Sequence, residues 1–326
     1  MSKDSARFRD CFVTVQDCEK PPQISILMPI YNCERFIREA LLSVLAQQNA
    51  TVEIIISDDA SVDQSFIIAL ETVELWLKTH RKTHRIILRR GTQRLRRDHL
   101  HLLVDHASCD IVCQAHGDDV SHQLRAAYLL QCFSILDLKP TMVFVKPSLI
   151  GEDGRLLQGV GELPEHMELF PVSLEMIFRE NNALIGATMA WKKSALSYFS
   201  QLSSKSVAFG HDRVMTFRAY LLGGCFVINA PLIRRRMHQS NWSKHTFFDP
   251  KEVPANFGGS LVRLSFFTAM KEDLEKSVKN GLIDGERLEL LSESLENCLN
   301  LSAKELLNSS STLTKAGYTV HWVKDN

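Results

Sequence analysis

The sequence lacks any run of about 18 consecutive apolar residues, which is the length that a membrane-spanning helix needs. Its first ten residues carry charge where a secretory signal peptide requires an apolar stretch. Lysine plus arginine equals aspartate plus glutamate at 38 each, so no net charge favours nucleic acid or an acidic surface as a partner. These absences predict a soluble protein without nucleic-acid binding, with peripheral membrane association left open.

The eight cysteines are scattered, and their close pairs lack the spacing of a zinc site. Cys113, Cys132 and Cys225 lie inside apolar runs, which is typical of reduced thiols in a cytoplasmic protein. The sequence also lacks a glycine-rich loop that would cradle a triphosphate. This last absence disfavours a nucleotidyltransferase, which remains the weakest alternative.

Alternating strand and helix signals fill the first half of the chain. Apolar runs predict strands at 24–28, 52–56, 85–88 and 111–114, and helical spacing of apolar residues occurs between them. Alternation at these lengths indicates parallel crossovers. We therefore predict an α/β fold with a mostly parallel sheet flanked by helices, whose ligands sit beyond the carboxyl ends of the strands.

Three regions are expected along the 326 residues. Residues 1–20 are polar and unpatterned and predict a tail, residues 21–247 the α/β domain, and residues 248–326 a helical C-terminal region. We expect the leucine stripe of the last region to pack as ordinary core, with a homodimer seam or a membrane-surface face as alternatives. The stripe consists of Leu288, Leu291, Leu295 and Leu299.

The most informative motif is residues 115–119 (AHGDD), directly after the predicted strand at 111–114. Two adjacent carboxylates at a strand end offer oxygen ligands to a divalent cation and to the phosphates that it carries. Aspartates also cap helices, and residues 120–136 have helical spacing. From the residues alone, a metal site and a helix cap are both open.

Four segments resemble, in order and spacing, the signatures of family 2 glycosyltransferases: residues 25–32 (SILMPIYN), 43–47 (SVLAQ), 55–63 (IISDDASVD) and 117–119 (GDD). The resemblance implies a GT-A fold with a Rossmann-like nucleotide-binding half. It further implies a nucleotide-sugar donor, a divalent metal (Mg²⁺ or Mn²⁺) and inversion at the anomeric carbon.

The resemblance assigns the first and third of these segments to the nucleotide. Pro29 ends the first predicted strand, and Tyr31 offers an aromatic face on which uracil would stack. Asp59, with Asp58 beside it, would bind the base. A tyrosine after a strand is also an ordinary turn residue, and that alternative remains open.

An arginine-rich segment follows, in which Arg94, Arg96 and Arg97 are candidates for contact with donor phosphate. Guanidinium groups match phosphate geometry, and the family's corresponding loop lies beside the nucleotide. A solvated charged face is the alternative for each arginine.

The metal is assigned to Asp118 and Asp119, one of which would also contact ribose. His116 stands where the family usually has aspartate; an imidazole still binds Mn²⁺ but removes a charge. The later segment 234–243 (RRRMHQSNWS) resembles the family's closing motif. By that resemblance, His238 would complete the metal shell and Arg236 would neutralise the diphosphate.

Asp212 is the candidate catalytic base, since the family's matching acid takes the proton of the acceptor hydroxyl. His211 replaces the glutamate that usually precedes it, and a helix cap is the alternative role of Asp212.

Together these residues predict an inverting glycosyltransferase that moves a sugar from a UDP-sugar to a hydroxyl of a glycan or lipid-linked acceptor, as in cell-surface polysaccharides. The substitutions at His116 and His211 motivate one rival, a non-catalytic nucleotide-sugar-binding or scaffolding protein.

Overall fold

A computed structural model describes residues 7–80, 82–96, 98–135, 139–159, 162–164, 166–178, 184–199, 210–239, 241 and 255–315. The chain divides into two compact units, one formed by residues 1–201 and 222–238 and the other by residues 202–221 and 239–326. This division places its breaks after residues 201, 221 and 238, whereas the sequence analysis expects a single boundary between residues 247 and 248. Residues 202–221 group with the C-terminal helices although they lie in the middle of the α/β sequence.

The first unit contains one sheet with eleven strands among the described residues. The strands are β1 (Val13–Gln16), β2 (Ile24–Ile30), β3 (Val52–Asp58), β4 (Arg85–Arg90), β5 (Ile111–Gln114), β6 (Val120–Ser121), β7 (Met142–Ile150), β8 (Leu156–Gln158), β9 (Leu169–Pro171), β10 (Met189–Lys192) and β11 (Cys225–Arg236). Their order is β1-β4-β3-β2-β5-β10-β7-β11-β6, with β8 beside β7 and β9 beside β11.

The four strands that the sequence predicts, β2 to β5, form a parallel part of the sheet. β2 pairs in parallel with β3 and β5, and β3 pairs in parallel with β4. All seven residues of β3 are buried, as expected for a strand covered on both faces. The sheet as a whole is mixed, because β1, β6 and β10 run antiparallel to their neighbours.

Six helices of the described chain belong to the first unit: α1 (Ile37–Leu45), α2 (Ser65–Leu77), α3 (Asp98–His106), α4 (Arg125–Phe133), α5 (Leu174–Phe178) and α6 (Lys193–Leu196). α1 shows why they form, since Ile37, Ala40, Leu41, Val44 and Leu45 recur at helical spacing and are all buried. Burial of each larger apolar side chain contributes about 1.5–3 kcal/mol relative to exposure.

The N-terminal segment is not the polar tail that its composition predicts. Phe8 is fully buried and packs edge-to-face on Phe66, with ring centroids 5.7 Å apart. Val13 and Thr14 pair with Leu88 and Ile87 on β4. The prediction fails because a four-residue strand is too short to show periodicity among polar neighbours.

The second unit contains α7 (His211–Leu221), α8 (Ala255–Lys279) and α9 (Gly285–Lys315). Arg218 on α7 forms a two-pronged ion pair with Asp273 on α8, with N···O distances of 2.6 and 3.1 Å. Leu291 and Leu295 of the leucine stripe are buried, as expected for core. Among the described helices, none has both the length and the apolar character needed to cross a bilayer.

Candidate active site

The candidate site forms where three neighbouring strands end. Tyr31 follows β2, Asp58 is the last residue of β3, and the acidic loop 115–119 follows β5. Because β2 pairs in parallel with both β3 and β5, their carboxyl ends meet at one edge of the sheet. The structure therefore brings the three predicted loops together.

These loops are joined to one another directly. The Asn32 N–H donates to Ser61 Oγ at 3.0 Å, and the Val62 N–H donates to Asn32 Oδ1 at 3.0 Å. On the other side, a Cβ on Gly117 would lie 2.6 Å from Cys33 Sγ, so a side chain at this position would require Cys33 to move.

The acidic loop does not cap a helix. α4 begins only at Arg125, and the short strand β6 (Val120–Ser121) separates it from Asp119. β6 is held by pairing with β11, in which Ser121 lies opposite Ile233. The cap interpretation is thus excluded for helix α4, and the predicted helix over 120–136 is too long at its start.

His116, Asp118 and Asp119 each present one ligand atom, and these atoms lie within 4.8 Å of one another. His116 Nδ1 is 3.6 Å from Asp119 Oδ2. One imidazole and two carboxylates are ligands that suit Mn²⁺ and, through the oxygens, Mg²⁺. His116, which departs from the family pattern, is therefore part of the candidate metal cluster.

Asp119 supports this interpretation through its charge. Its side chain is buried, and Oδ1 accepts the Arg236 N–H at 2.9 Å. Burial, and after it the neighbouring Asp118 carboxylate, raises the pKa of Asp119 to about 7. A divalent cation between two such carboxylates would relieve this repulsion, so the residues present fit the metal.

Asp118 is oriented by His238. His238 Nε2 lies 2.9 Å from Asp118 Oδ2, and the imidazole packs on the Phe36 ring with centroids 4.8 Å apart. Burial favours a higher pKa for Asp118, but the His238 hydrogen bond and the nearby His116 together lower the pKa below its usual value. His238 was predicted as a metal ligand; in the structure it contacts the metal-site carboxylate, and ligation stays a prediction.

Arg236 has protein partners on every guanidinium nitrogen. Nε donates to the Asp118 carbonyl at 3.0 Å, and Nη1 donates to the carbonyls of Gly151 and Glu152 at 3.2 and 3.0 Å. Nη2 donates to the Glu39 carboxylate. The structure therefore gives this buried side chain the role of anchoring the acidic loop, and its predicted contact with a diphosphate remains untested.

Tyr31 and Arg94 form a stacked pair. The Arg94 guanidinium carbon lies 3.6 Å from the centroid of the Tyr31 ring, a cation–π contact. Pro29, two residues earlier, lies in β2 opposite Ser57 of β3 and is part of the strand rather than its end. The predicted base-stacking tyrosine is thus already in contact with one predicted phosphate-binding arginine.

One carboxylate oxygen of Asp58 is a buried hydrogen-bond acceptor without a partner among the described residues. The side chain is fully buried, Oδ2 accepts the Ser61 N–H at 3.1 Å, and Oδ1 has no hydrogen-bond partner among the described residues. Burial raises the pKa of Asp58 above its ordinary value, only partly opposed by Ser61 and Arg90. Such an atom is suited to accept an N–H from a ligand.

Asp59 is used differently. Its Oδ1 accepts the Leu95 N–H at 2.7 Å and its Oδ2 accepts the Arg96 N–H at 2.8 Å. These bonds hold the loop after β4, in which Arg96 has a left-handed φ of 56°. The predicted contact of Asp59 with the base is untested, and Asp58 is the carboxylate with an open oxygen.

The arginine-rich segment separates into different roles. Arg94 and Arg96 are exposed on the loop, whereas Arg89 is buried and contacts Asp10 and Ser57. Arg97 lies outside the described residues.

Asp212 lies in the second unit, in the first turn of α7. The preceding Gly210 has a φ of +87°, and a Cβ there would lie 2.7 Å from the Phe266 ring. Asp212 Oδ1 accepts the N–H of Arg213 at 3.0 Å. The start of α7 is thus well defined within its unit, and the catalytic role of Asp212 stays a prediction.

Two buried residues of the site are absent from the sequence prediction. His99 Nε2 lies 2.7 Å from Ser57 Oγ, and burial lowers the pKa of His99 to about 4. Arg125 Nη2 donates to the carbonyls of Gln114 and Ala187, each at 2.9 Å, and so fixes the end of β5. In the sequence, His99 and Arg125 are each only a polar residue within the apolar pattern of a helix, so nothing marks them as residues of the site.

Known proteins share sequence and fold with this chain. Residues 25–134 match the family described as Glycosyl transferase family 2. The putative glycosyltransferase EpsE of Bacillus subtilis is 34% identical over 104 residues, which are 32% of this chain and only 36% of EpsE.

Two solved structures are similar in fold. S. aureus TarS 1–349 in complex with UDP-GlcNAc has a TM-score of 0.52 at 13% identity, covering 92% of this chain and 93% of TarS 1–349. The mannosyltransferase PcManGT from Pyrobaculum calidifontis, in complex with GDP-Man and Mn²⁺, has a TM-score of 0.53 at 14% identity, covering 96% of this chain and 80% of that structure. The predicted GT-A fold is confirmed.

Proposed function

We propose that this chain, whose residues 25–134 match glycosyl transferase family 2, transfers a sugar from a nucleoside diphosphate sugar to an acceptor hydroxyl with inversion. The observation that carries the proposal is the cluster of His116, Asp118 and Asp119 at the carboxyl ends of parallel strands. Ligands of open α/β sheets bind at this edge.

His116, Asp118 and Asp119 would hold a divalent cation, Mn²⁺ or Mg²⁺. When bound, such a cation supplies positive charge that offsets the charge of the leaving diphosphate. The chain's own contribution is to hold these ligands: His238 orients the Asp118 carboxylate, and the Arg236 backbone N–H orients the Asp119 carboxylate. Arg236 then anchors the loop itself through the Asp118 carbonyl.

The nucleobase would lie at Tyr31. An aromatic ring stacks on a base without regard to its identity, and the Asp58 Oδ1 atom is a buried acceptor without a described partner at the same strand edge. Uracil carries an N–H that matches a carboxylate oxygen, which supports a UDP-sugar as donor. TarS with UDP-GlcNAc and PcManGT with GDP-Man are two similar folds with different bases, so uridine is the finer part of the proposal.

Asp212 would take the proton of the acceptor hydroxyl as its oxygen attacks the anomeric carbon. A carboxylate acting opposite the departing diphosphate yields inversion by direct displacement. We assign the acceptor to the class of glycans or lipid-linked sugars, because such molecules carry the hydroxyl groups that a general base would deprotonate.

The decisive test combines direct binding and turnover. UDP binding is measured by calorimetry with Mn²⁺, and release of nucleoside diphosphate is measured over a panel of UDP- and GDP-sugars. Asp212→Asn is expected to bind UDP within about twofold of the wild type and to lose transfer by about 10²–10⁴-fold, as for a general base. Asp284→Asn, an exposed acid in the second unit, serves as the matched control and should retain transfer.

Near-wild-type transfer by Asp212→Asn would remove the base assignment. Wild-type protein that binds UDP but releases no nucleoside diphosphate from any donor would favour the non-catalytic binding protein. The replacements at His116 and His211 are the features that motivate this second candidate.

A further inference from the structure

We propose that Asp10, on the N-terminal segment outside the family match, is a positioning residue for nucleotide recognition that acts through the Arg94 loop. The Arg94 loop is defined as residues 91–96, between β4 and α3. This inference rests on the proposed function, since it concerns the site that would bind the donor nucleotide.

The N-terminal segment reaches this loop along the edge of the sheet. The backbone of Arg9 forms an isolated parallel β-bridge with Arg90. The Asp10 N–H donates to the Arg90 carbonyl at 2.8 Å. Asp10 has a left-handed φ of 51°, after which β1 returns antiparallel along β4. Burial of Phe8 against Phe66 anchors the segment on the side before Asp10. The backbone of Asp10 is thus fixed at the last residue of β4.

The Asp10 carboxylate accepts three donors from the end of β4 and the start of the loop. Oδ1 accepts the Thr92 N–H at 3.1 Å and Arg89 Nη2 at 3.2 Å, and Oδ2 accepts the Thr92 hydroxyl. The hydrogen bonds from Thr92 lower the pKa of Asp10, so the group is ionised when it makes them. These contacts define where the loop leaves the sheet.

Other positions of the Arg94 loop are held by hydrogen bonds to Asp58 and Asp59 at the end of β3. The Gly91 N–H donates to the Asp58 carbonyl at 2.8 Å, and Asp59 accepts the N–H groups of Leu95 and Arg96. Arg94 lies between these attachments, with its guanidinium over Tyr31 at 3.6 Å. Asp10 and Asp59 therefore hold opposite ends of the segment that places Arg94 on the base-stacking tyrosine.

The consequence is that donor recognition depends on a segment that the family match does not include. Without the Asp10 carboxylate, Thr92 loses acceptors for both its N–H and its hydroxyl, and the start of the loop is free to shift. A shift there displaces Arg94 from Tyr31, and the face on which the base and its phosphates would bind is altered. The chemistry at Asp118 and Asp212 is not touched, so the effect falls on donor affinity.

The test is a double-mutant cycle on the full chain with UDP and Mn²⁺, read by calorimetry. Asp10→Ala and Arg94→Ala are each expected to weaken UDP binding by about tenfold, and the double variant to bind no more weakly than Arg94→Ala alone, as for coupled residues. Asp17→Ala is the matched control. That carboxylate accepts only its neighbour's N–H and a weak Cys18 thiol contact among its recorded hydrogen bonds, so UDP binding should be unchanged.

Two further variants guard against a folding defect. Asp10→Asn and Thr92→Val keep the side-chain size and should weaken UDP binding by a few-fold, with unchanged thermal midpoints. In the turnover assay, Asp10→Ala should raise KM for the donor while kcat is retained, a split that a general loss of structure does not produce.

Additive effects of Asp10→Ala and Arg94→Ala, or unchanged UDP affinity in all three single variants at Asp10 and Thr92, overturn this inference alone. A wild-type protein that binds neither UDP nor GDP overturns the proposed function, and this inference falls with it.

Discussion

Two pairs of adjacent aspartates lie at the carboxyl ends of β3 and β5, the two strands that flank β2, yet the structure treats them differently. Asp58 and Asp59 lie among backbone N–H groups, which satisfy three of their four carboxylate oxygens. Asp118 and Asp119 lie against imidazoles, and the pKa of Asp119 is raised to about 7 by burial and by its neighbour. The same dipeptide is therefore a loop anchor in one place and a candidate cation site in the other, according to its neighbours.

The strongest way to break this comparison is to remove one charge from each pair. Asp119→Asn is expected to abolish measurable Mn²⁺ binding and to reduce transfer by about 100-fold or more, because a ligand is lost. Asp59→Asn should leave Mn²⁺ affinity within about twofold, since its partners are backbone N–H groups. Electron paramagnetic resonance of free Mn²⁺ measures the Mn²⁺ affinity of both variants. Equal losses of Mn²⁺ affinity in Asp119→Asn and Asp59→Asn would contradict the assignment of the cation to the second pair only.

A smaller effect is expected from His116, which makes the second pair unusual. His116→Asp restores an oxygen ligand and a negative charge, so the ratio of Mg²⁺ to Mn²⁺ affinity should rise about tenfold. Competition between the two metals, read by the same resonance signal, gives this ratio without any turnover. His101→Asp, on helix α3 and outside the candidate metal cluster, is the control. An unchanged ratio would mean that His116 is not a ligand.

The smallest effect concerns stability and pH. A carboxyl whose pKa is raised in the folded state binds more protons there than in the unfolded state, so its contribution to the free energy of unfolding falls as pH rises. For Asp119 this window runs from its ordinary value of 3.8 to about 7. In metal-free protein the thermal midpoint of the wild type relative to that of Asp119→Asn should therefore fall by a few degrees between about pH 5 and pH 7.5; taking the difference removes the opposite contribution of His99, whose pKa burial lowers.

Scanning calorimetry in the presence of a chelator measures this slope. Asp58, whose pKa is also raised by burial, contributes in the same direction, so Asp58→Asn serves as the comparison variant. A difference in midpoint between the wild type and Asp119→Asn that stays constant or rises through this range would refute the interpretation of Asp119.

Local pattern was sufficient for the parallel half of the sheet. β2, β3, β4 and β5 lie where their apolar runs predict, because each is a buried strand bounded by polar turns. β1 and β6 escaped prediction, since strands of two to four residues show no period. β11 escaped for another reason: its end, residues 234–236, is the arginine run, which the sequence presented as a charged motif rather than as strand.

The candidate site divides in the same way. The signatures around Tyr31, Asp58 and Asp118 could be identified because each follows a strand directly, so a short window contains both the strand and its chemistry. The residues that contact them could not be identified from the sequence. Arg236 lies 118 positions from Asp118, and Asp10 lies 82 positions from Thr92. No local periodicity connects such distant residues.

By itself the sequence determined the strand and helix pattern of the parallel half, the resemblance of residues 25–134 to a known family, and the positions of the acidic loops, because periodicity and turn chemistry act between neighbours in the chain. Only the tertiary structure decided which carboxylates are already bonded, that Arg236 anchors the acidic loop, and that residues Val13–Gln16 belong to the sheet. The physical reason is that burial and hydrogen bonding at these atoms depend on side chains brought together by strand pairing, and those partners are far apart in sequence.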